Sequence, residues 1–247
     1  MMAPPFTKPL ERRAFVRATA LRTVLAAICF DLFESIVKLS PCASTPDGGS
    51  IFLPHLPPVQ RYLVSTGLTL CTGLTVVFGF TFMHELSALV AVGVLGHPPT
   101  DWPPIFDAPW LARSLAEFWA RRWHQMLRST FLDLGGYPLA ALLSPLGKYP
   151  KRIGLVMGSF IASGVMHDLG MWNLDRGVRF HALILFTIQG VMVLVEYVFR
   201  VVTGHRVGGL PGRVWTYTMI LIVGQPMSKP HVSLRSLILH TDSQFLS

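Results

Sequence analysis

The stretch Trp102–Gly136, WPPIFDAPWLARSLAEFWARRWHQMLRSTFLDLGG, decides how the rest of the chain is read. Apolar segments long enough to meet a membrane flank it on both sides, and it gathers Arg, Trp, a His and carboxylates between them. Its Pro-rich opening suits an extended lead-in. Ser114 stands three residues before Glu117, the capping-box spacing that starts a helix. At 3.6 residues per turn, Leu115, Phe118, Trp119, Trp123, Met126 and Leu127 fall on one side of that helix. Glu117, Arg121, His124 and Arg128 fall on the other, giving Glu117–Arg121 and His124–Arg128 as i,i+4 partners. Arg122 is a cation on the apolar side and must snorkel or find a buried partner. Two readings fit the pattern: a basic amphipathic helix with aromatic anchors at a membrane interface, and a polar face over an ordinary core. On either, Trp119 and Trp123 anchor the helix rather than touch a substrate.

Composition points to the membrane independently. Hydrophobic residues make up 51% of the 247-residue chain and charged residues 14%, where a soluble domain carries about a quarter. Mean hydropathy is +0.48. The net charge of +8 then reports loops facing anionic lipid rather than nucleic acid, and the Arg residues form no nucleic-acid motif. Cys29, Cys42 and Cys71 are scattered, without metal-ligand spacing or a disulfide framework.

In chain order, residues 1–19 are basic and contain Pro, without the apolar core of a secretory signal. Residues 20–39 are apolar but carry Asp31, Glu34 and Lys38, with Glu34 and Lys38 as i,i+4 partners; a span and a surface helix both fit. Residues 40–58 read as a loop. Residues 59–82 are the clearest span by length and lack of charge, with Gly67, Thr69, Gly73 and Thr75 as small packing surfaces. His84 and Glu85 are neighbours pointing about 100° apart, so they read as boundary residues rather than a dyad. The run 86–96 is short enough to be interfacial. Residues 131–146, with Gly135, Gly136, Pro138 and Pro145, read as a breakable, re-entrant segment.

Residues 153–172 form a second strong span, with Gly154-xxx-Gly158, Ser159 and Ser163 for close packing. His167 shares a face with Phe160, Ser163 and Gly164, the side neighbouring helices approach, which makes it a functional-site candidate; the other reading is a His that only bonds a neighbouring helix. Asp168 points elsewhere, to pair with another helix or cap a broken turn. Residues 181–202 are a third span, carrying Gln189, Glu196 and Arg200 on one stripe, with Glu196–Arg200 read as a neutralised boundary pair. Residues 214–227 make a last apolar helix. Placing the N-terminus, 97–128, 147–152 and 203–213 in the cytoplasm satisfies the positive-inside rule if 86–96 and 131–146 do not cross.

Two motifs carry a resemblance. FWARRWHQ (Phe118–Gln125) resembles the FWGRRWHQ signature of the wax-synthase-like branch of the membrane-bound O-acyltransferases, fungal members above all, with Ala120 in place of the usual Gly. Trp102, Phe106, Pro109 and Ser114-Leu115 fit that family's lead-in. SGVMHDLG (Ser163–Gly170) resembles its second signature, a small-residue helix ending in His followed by an acid. The two occur in the right order, and the resemblance covers roughly residues 60–230. It implies an all-α, polytopic membrane helical bundle, read here as one unit over 1–247. Relatives carry further helices before this region, so a shortened product is expected.

The resemblance also implies an activity: transfer of an acyl or acetyl group from acyl-CoA to a hydroxyl of a lipophilic alcohol, such as a terpenoid secondary metabolite, in the endoplasmic reticulum membrane. Acyl-CoA is then a co-substrate, with no metal or other cofactor required. The reaction needs a base for the hydroxyl proton and a donor for the oxyanion. Carried over from the family, His167 is the general base. His124, where many relatives have Asn, bonds the acyl carbonyl or oxyanion, with a structural role as its alternative. Arg121, Arg128, Lys148 and Arg152 are candidates for CoA phosphates. The alternatives are a long-chain wax ester synthase, a non-catalytic membrane protein, and a transporter using Asp31, Glu34, His167 and Glu196, though no paired repeat is present.

Overall fold

The computed structural model describes residues 11–40, 51–173 and 180–225, and among them every regular element is helical. The first ten residues, most of the expected loop 40–58 and the polar tail from Ser228 lie outside the described residues. Two compact units divide the chain after Pro104.

The first unit is a helical hairpin. Helix α1 (Arg12–Lys38) starts where the Glu11 carboxylate accepts the N–H groups of Arg13 and Ala14 at 3.0 and 2.9 Å, offsetting two of the donors that a helix start leaves open. Helix α2 (Pro58–Gly93) begins on Pro58, whose fixed φ suits a first turn. From its first turn, the Arg61 guanidinium gathers the carbonyls of Leu53, Pro54 and Leu56 in the preceding segment. Phe15, Ala88 and Val92 form the core against Val16 and Trp102, and Ile51 and Leu68 a second cluster. The expected Glu34–Lys38 pair is present at 3.0 Å.

Helix α2 corrects the expected boundary near residue 83. It runs unbroken for 36 residues, about 54 Å, through His84 and a buried Glu85 and into the run expected to be separate. Nothing in that stretch removes an N–H donor, so the helix continues.

The second unit holds α3 (Leu115–Glu117), α4 (Arg128–Phe131), α5 (Tyr137–Leu143), α6 (Lys148–Asn173), α7 (His181–Thr203) and α8 (Gly209–Gly224). The 131–146 segment, expected to break, is helical throughout: α4 passes through a π-helical turn, Leu132–Gly136, into α5 and a closing 3₁₀ turn. It packs backbone to backbone on α6. A Cβ on Gly135 would overlap the Gly158 carbonyl, one on Gly158 the Gly135 carbonyl, and one on Gly154 would stand 2.6 Å from the Leu139 carbonyl oxygen. The Gly154-xxx-Gly158 motif is therefore a contact surface.

Helix α7 separates its two faces cleanly. Ala182, Phe186, Gln189, Gly190 and Glu196 are buried, whereas Ile184, Ile188, Val191, Val195, Val198 and Val202 are exposed. An apolar exposed stripe along a long helix suits lipid contact. Among the described residues, α2, α6 up to Trp172, and α7 are long and apolar enough to cross a membrane. Helix α1 carries too many charges to join them.

Candidate active site

The continuous helix expected from the Ser114 cap through Arg128 is not formed. Ser114 does open a helix, its Oγ accepting the Glu117 N–H at 3.0 Å, and the Glu117 carboxylate accepts the Arg113 N–H at 2.9 Å. Three residues later the hydrogen bonding changes register. The Trp123 N–H reaches the Phe118 carbonyl, five residues back, at 2.8 Å, so Phe118–Arg122 is a π-helical turn. Trp123 is extended. The freed carbonyl of Trp123 accepts from the Gln125 side-chain amide at 2.6 Å.

This register overturns the helical-wheel assignment. Glu117 pairs with Arg122 at 2.7 Å, the i,i+5 partner that a π turn brings alongside, and Arg121 pairs with Asp107 at 3.1 Å. Arg122 has found the partner it required: its guanidinium also donates to the Asp107 and Ala108 carbonyls, tying the lead-in to the turn. Burial alone would raise the Glu117 carboxyl, but the Arg113 N–H and the Arg122 guanidinium hold it below its ordinary value.

Because the turn is wider than an α-helix and then extends, Trp119, Ala120, Trp123 and His124 all line one cavity of about 250 Å³ instead of splitting between two faces. The opposite wall comes from α6 (Arg152, Ser159, Phe160, Ser163 and His167) and the end wall from Phe186 and Val193 of α7. The two indoles expected as anchors are therefore cavity walls. Trp119 donates its Nε1–H to Gln189 Oε1 at 3.1 Å, and Gln189 donates onward to the Met219 carbonyl at 3.0 Å. Trp119 also meets Phe160 and Phe186 edge to face, with centroids 5.8 and 5.7 Å apart.

His167 and His124 both face this space. The His167 Nδ1 lies 2.7 Å from the Ser163 carbonyl. A carbonyl only accepts, so that nitrogen carries the proton and Nε2 keeps its lone pair. The ring lies against Phe186, centroids 4.5 Å apart. Burial first, and the neighbouring His167 second, push the His124 imidazole down to about 4, so it is neutral at ordinary pH.

Two carboxylates brace the walls. Asp168 accepts the Ala182 and Leu183 N–H groups at 3.2 and 3.0 Å, capping the start of α7 as its expected role required. Glu196 does not pair with Arg200, which is exposed; it is buried and accepts from Leu115, Ala116 and Trp215. Of the four cations expected near phosphate, Arg128 and Arg152 line the cavity. Arg121 is held by Asp107, and Lys148 stands over the Tyr149 ring outside the cavity lining. Sequence reasoning missed Phe160, Phe186 and Gln189 as parts of the site; a Gln inside an apolar span was the available signal.

The family model described as "Membrane bound O-acyl transferase family" matches residues 102–189, which include the π turn, both histidines and the start of α7. Over this segment the chain is similar to the membrane-bound O-acyltransferases. With three helices among the described residues long and apolar enough to cross a bilayer, it is a membrane protein. Similar curated proteins include acetyltransferase spyB of Aspergillus fumigatus, 29% identical over 55% of this chain and 25% of its own length. Acetyltransferase eriL of Hericium erinaceus is 29% identical over 78% of this chain and 49% of its own. A long-chain-alcohol O-fatty-acyltransferase of Simmondsia chinensis is 33% identical over 49% and 34%. The chain thus spans a quarter to a half of the length of these relatives.

Proposed function

We propose that the chain carries the acyl-transfer centre of a membrane O-acyltransferase that moves an acyl group, acetyl among them, from acyl-CoA to a hydroxyl of a lipophilic alcohol. The observation that supports this reading most is the convergence of His124 and His167 on one largely apolar cavity within the segment that matches the family.

In this proposal the alcohol oxygen attacks the thioester carbon while His167 Nε2 takes its proton as general base. The neutral His124 donates a hydrogen bond to the carbonyl oxygen as it becomes an oxyanion. The intermediate collapses by breaking the C–S bond, and the imidazolium of His167 returns the proton to the departing thiolate. The ester and free CoA thiol result, with atoms and charge balanced. Arg128 and Arg152, which line the cavity, are the cations best placed for CoA phosphates; Arg121 and Lys148 stand outside its lining. The aromatic wall favours an apolar acceptor, a terpenoid or other secondary-metabolite alcohol, and the location proposed is the endoplasmic reticulum. The long-chain wax-ester reading rests on the Simmondsia relative's name.

The test is transfer of radiolabel from acyl-CoA to a panel of alcohols by microsomes that express this chain. Label in an ester product is expected with the wild type, and a loss of about a hundredfold or more with His167→Ala at unchanged membrane insertion. Undiminished turnover in that variant would remove His167 as base. Absence of transfer with every acyl and alcohol class would remove the enzymatic reading.

A further inference from the structure

Helix α3 has three residues, too few to hold itself together, since helix nucleation is unfavourable and one turn satisfies almost none of its own donors. It nevertheless sets the direction of the Phe118–Arg122 turn and hence of Trp119, Trp123 and His124. Each of its three N–H groups has an acceptor. The Glu117 N–H goes to Ser114 Oγ within the same turn. The other two go to a residue some eighty positions away: Leu115 donates to Glu196 Oε1 at 2.7 Å and Ala116 to Glu196 Oε2 at 2.9 Å. The Trp215 indole also donates to Oε1 at 2.9 Å, bringing in α8.

Glu196 lies on the buried stripe of α7 that meets the cavity elsewhere. Three turns earlier Phe186 lies on the His167 ring, and two turns earlier Gln189 fixes the Trp119 indole. The start of α7 is held by Asp168, the residue after His167. One helix is therefore tied at one end to the segment carrying His167 and at the other to α3, which leads into the stretch carrying His124. A bidentate carboxylate defines both the distance and the rotation of the peptide it caps, which a single hydrogen bond cannot.

We propose that Glu196 is a positioning residue: it sets the register of the Trp119–His124 turn on α7 and so fixes where His124 stands relative to His167. This rests on the acyl-transfer reading above for its kinetic consequence, but not for its structural one.

The experiment compares Glu196→Gln, Glu196→Asp, His124→Ala and the Glu196→Gln/His124→Ala double variant of the full chain in microsomes. With a displaced turn, Glu196→Gln should lower kcat about tenfold while leaving KM for acyl-CoA and alcohol within about twofold. Glu196→Asp, which keeps the charge on a shorter stem, should recover part of it. In the His124→Ala background the Glu196→Gln effect should largely vanish, because Glu196 acts on turnover through the placement of His124. The same fold-loss in both backgrounds, or no loss in either, would overturn the proposal. Deuterium uptake supplies a readout independent of turnover: Glu196→Gln should speed exchange in peptides covering residues 115–124 and leave those of α2 unchanged. Unchanged uptake at 115–124 would overturn the proposal even if the chain transferred no acyl group. Retained turnover in His167→Ala beside a loss in Glu196→Gln would instead remove the base assignment and leave the positioning role standing.

Discussion

The helical hairpin and the cavity-bearing unit differ in what their buried side chains bond, although Thr216 in the second unit also returns its hydroxyl to its own helix, at the Gly212 carbonyl. In the hairpin, Thr23, Thr69, Thr72, Thr75 and Thr81 each return their hydroxyl to the carbonyl four residues back on the same helix. Such bonds satisfy the hydroxyl and fix nothing outside the helix. In the second unit, Asp168, Gln189 and Glu196 all bond across elements. Those bonds place one helix against another and so shape a cavity. His167 joins the two habits: one ring nitrogen bonds the i−4 carbonyl like a hairpin threonine, and the second is left for chemistry.

Glycine substitutions should separate the two units most sharply. Gly158→Leu drives a side chain into the Gly135 backbone and should cost about 3 kcal/mol or more. Gly73→Ala in α2 meets nothing within 4 Å and should be neutral or stabilising by up to about 1 kcal/mol. Thermal unfolding in detergent reads both; equal shifts would erase the distinction. Next, Gln189→Leu strips the acceptor from the half-buried Trp119 indole and the donor from the Met219 carbonyl, at about 1–3 kcal/mol. Thr75→Val, which loses only a self-bond, should stay within about 0.5 kcal/mol. Denaturant titration of the two variants measures that gap.

A further effect concerns pH. His124 is held at about 4 by burial and by His167, below the roughly 6.5 of a free imidazole. The unfolded chain takes up this proton below about pH 6.5, and the folded chain only near 4. The His124 contribution is thus complete above pH 6.5 and is lost as pH falls towards 4. Unfolding midpoints of wild type and His124→Gln should converge over that interval; a constant difference would contradict it.

Much of this frame is legible from sequence because it depends on length, apolarity and small residues. The spans over 153–172 and 181–202 and the Gly154/Gly158 contact were readable; for Asp168 the sequence leaves open a bond to another helix or a cap on a broken turn. The turn at Trp123 was not. Helical periodicity presupposes i→i−4 bonding, and the Phe118–Arg122 turn bonds i→i−5, so side chains assigned to opposite faces converge. The one cue was Arg122, an unexplained cation on the apolar side five residues after Glu117. Glu196 misled for another reason: Arg200 is its neighbour in sequence, while its actual partners Leu115 and Ala116 stand about eighty residues earlier, where only the packing of α7 brings them.

The central claim is that acyl donor enters the cavity between the Trp119–His124 turn and helices α6 and α7. An acyl-CoA bearing a photoreactive diazirine at the end of a short acyl chain tests it directly, with adducts mapped by peptide mass spectrometry. Adducts on peptides carrying cavity-lining residues of 116–132, 152–167 or 186–193, suppressed by excess unlabelled acyl-CoA, are the predicted result. Adducts confined to α1 and α2, or indifferent to that competitor, would contradict it.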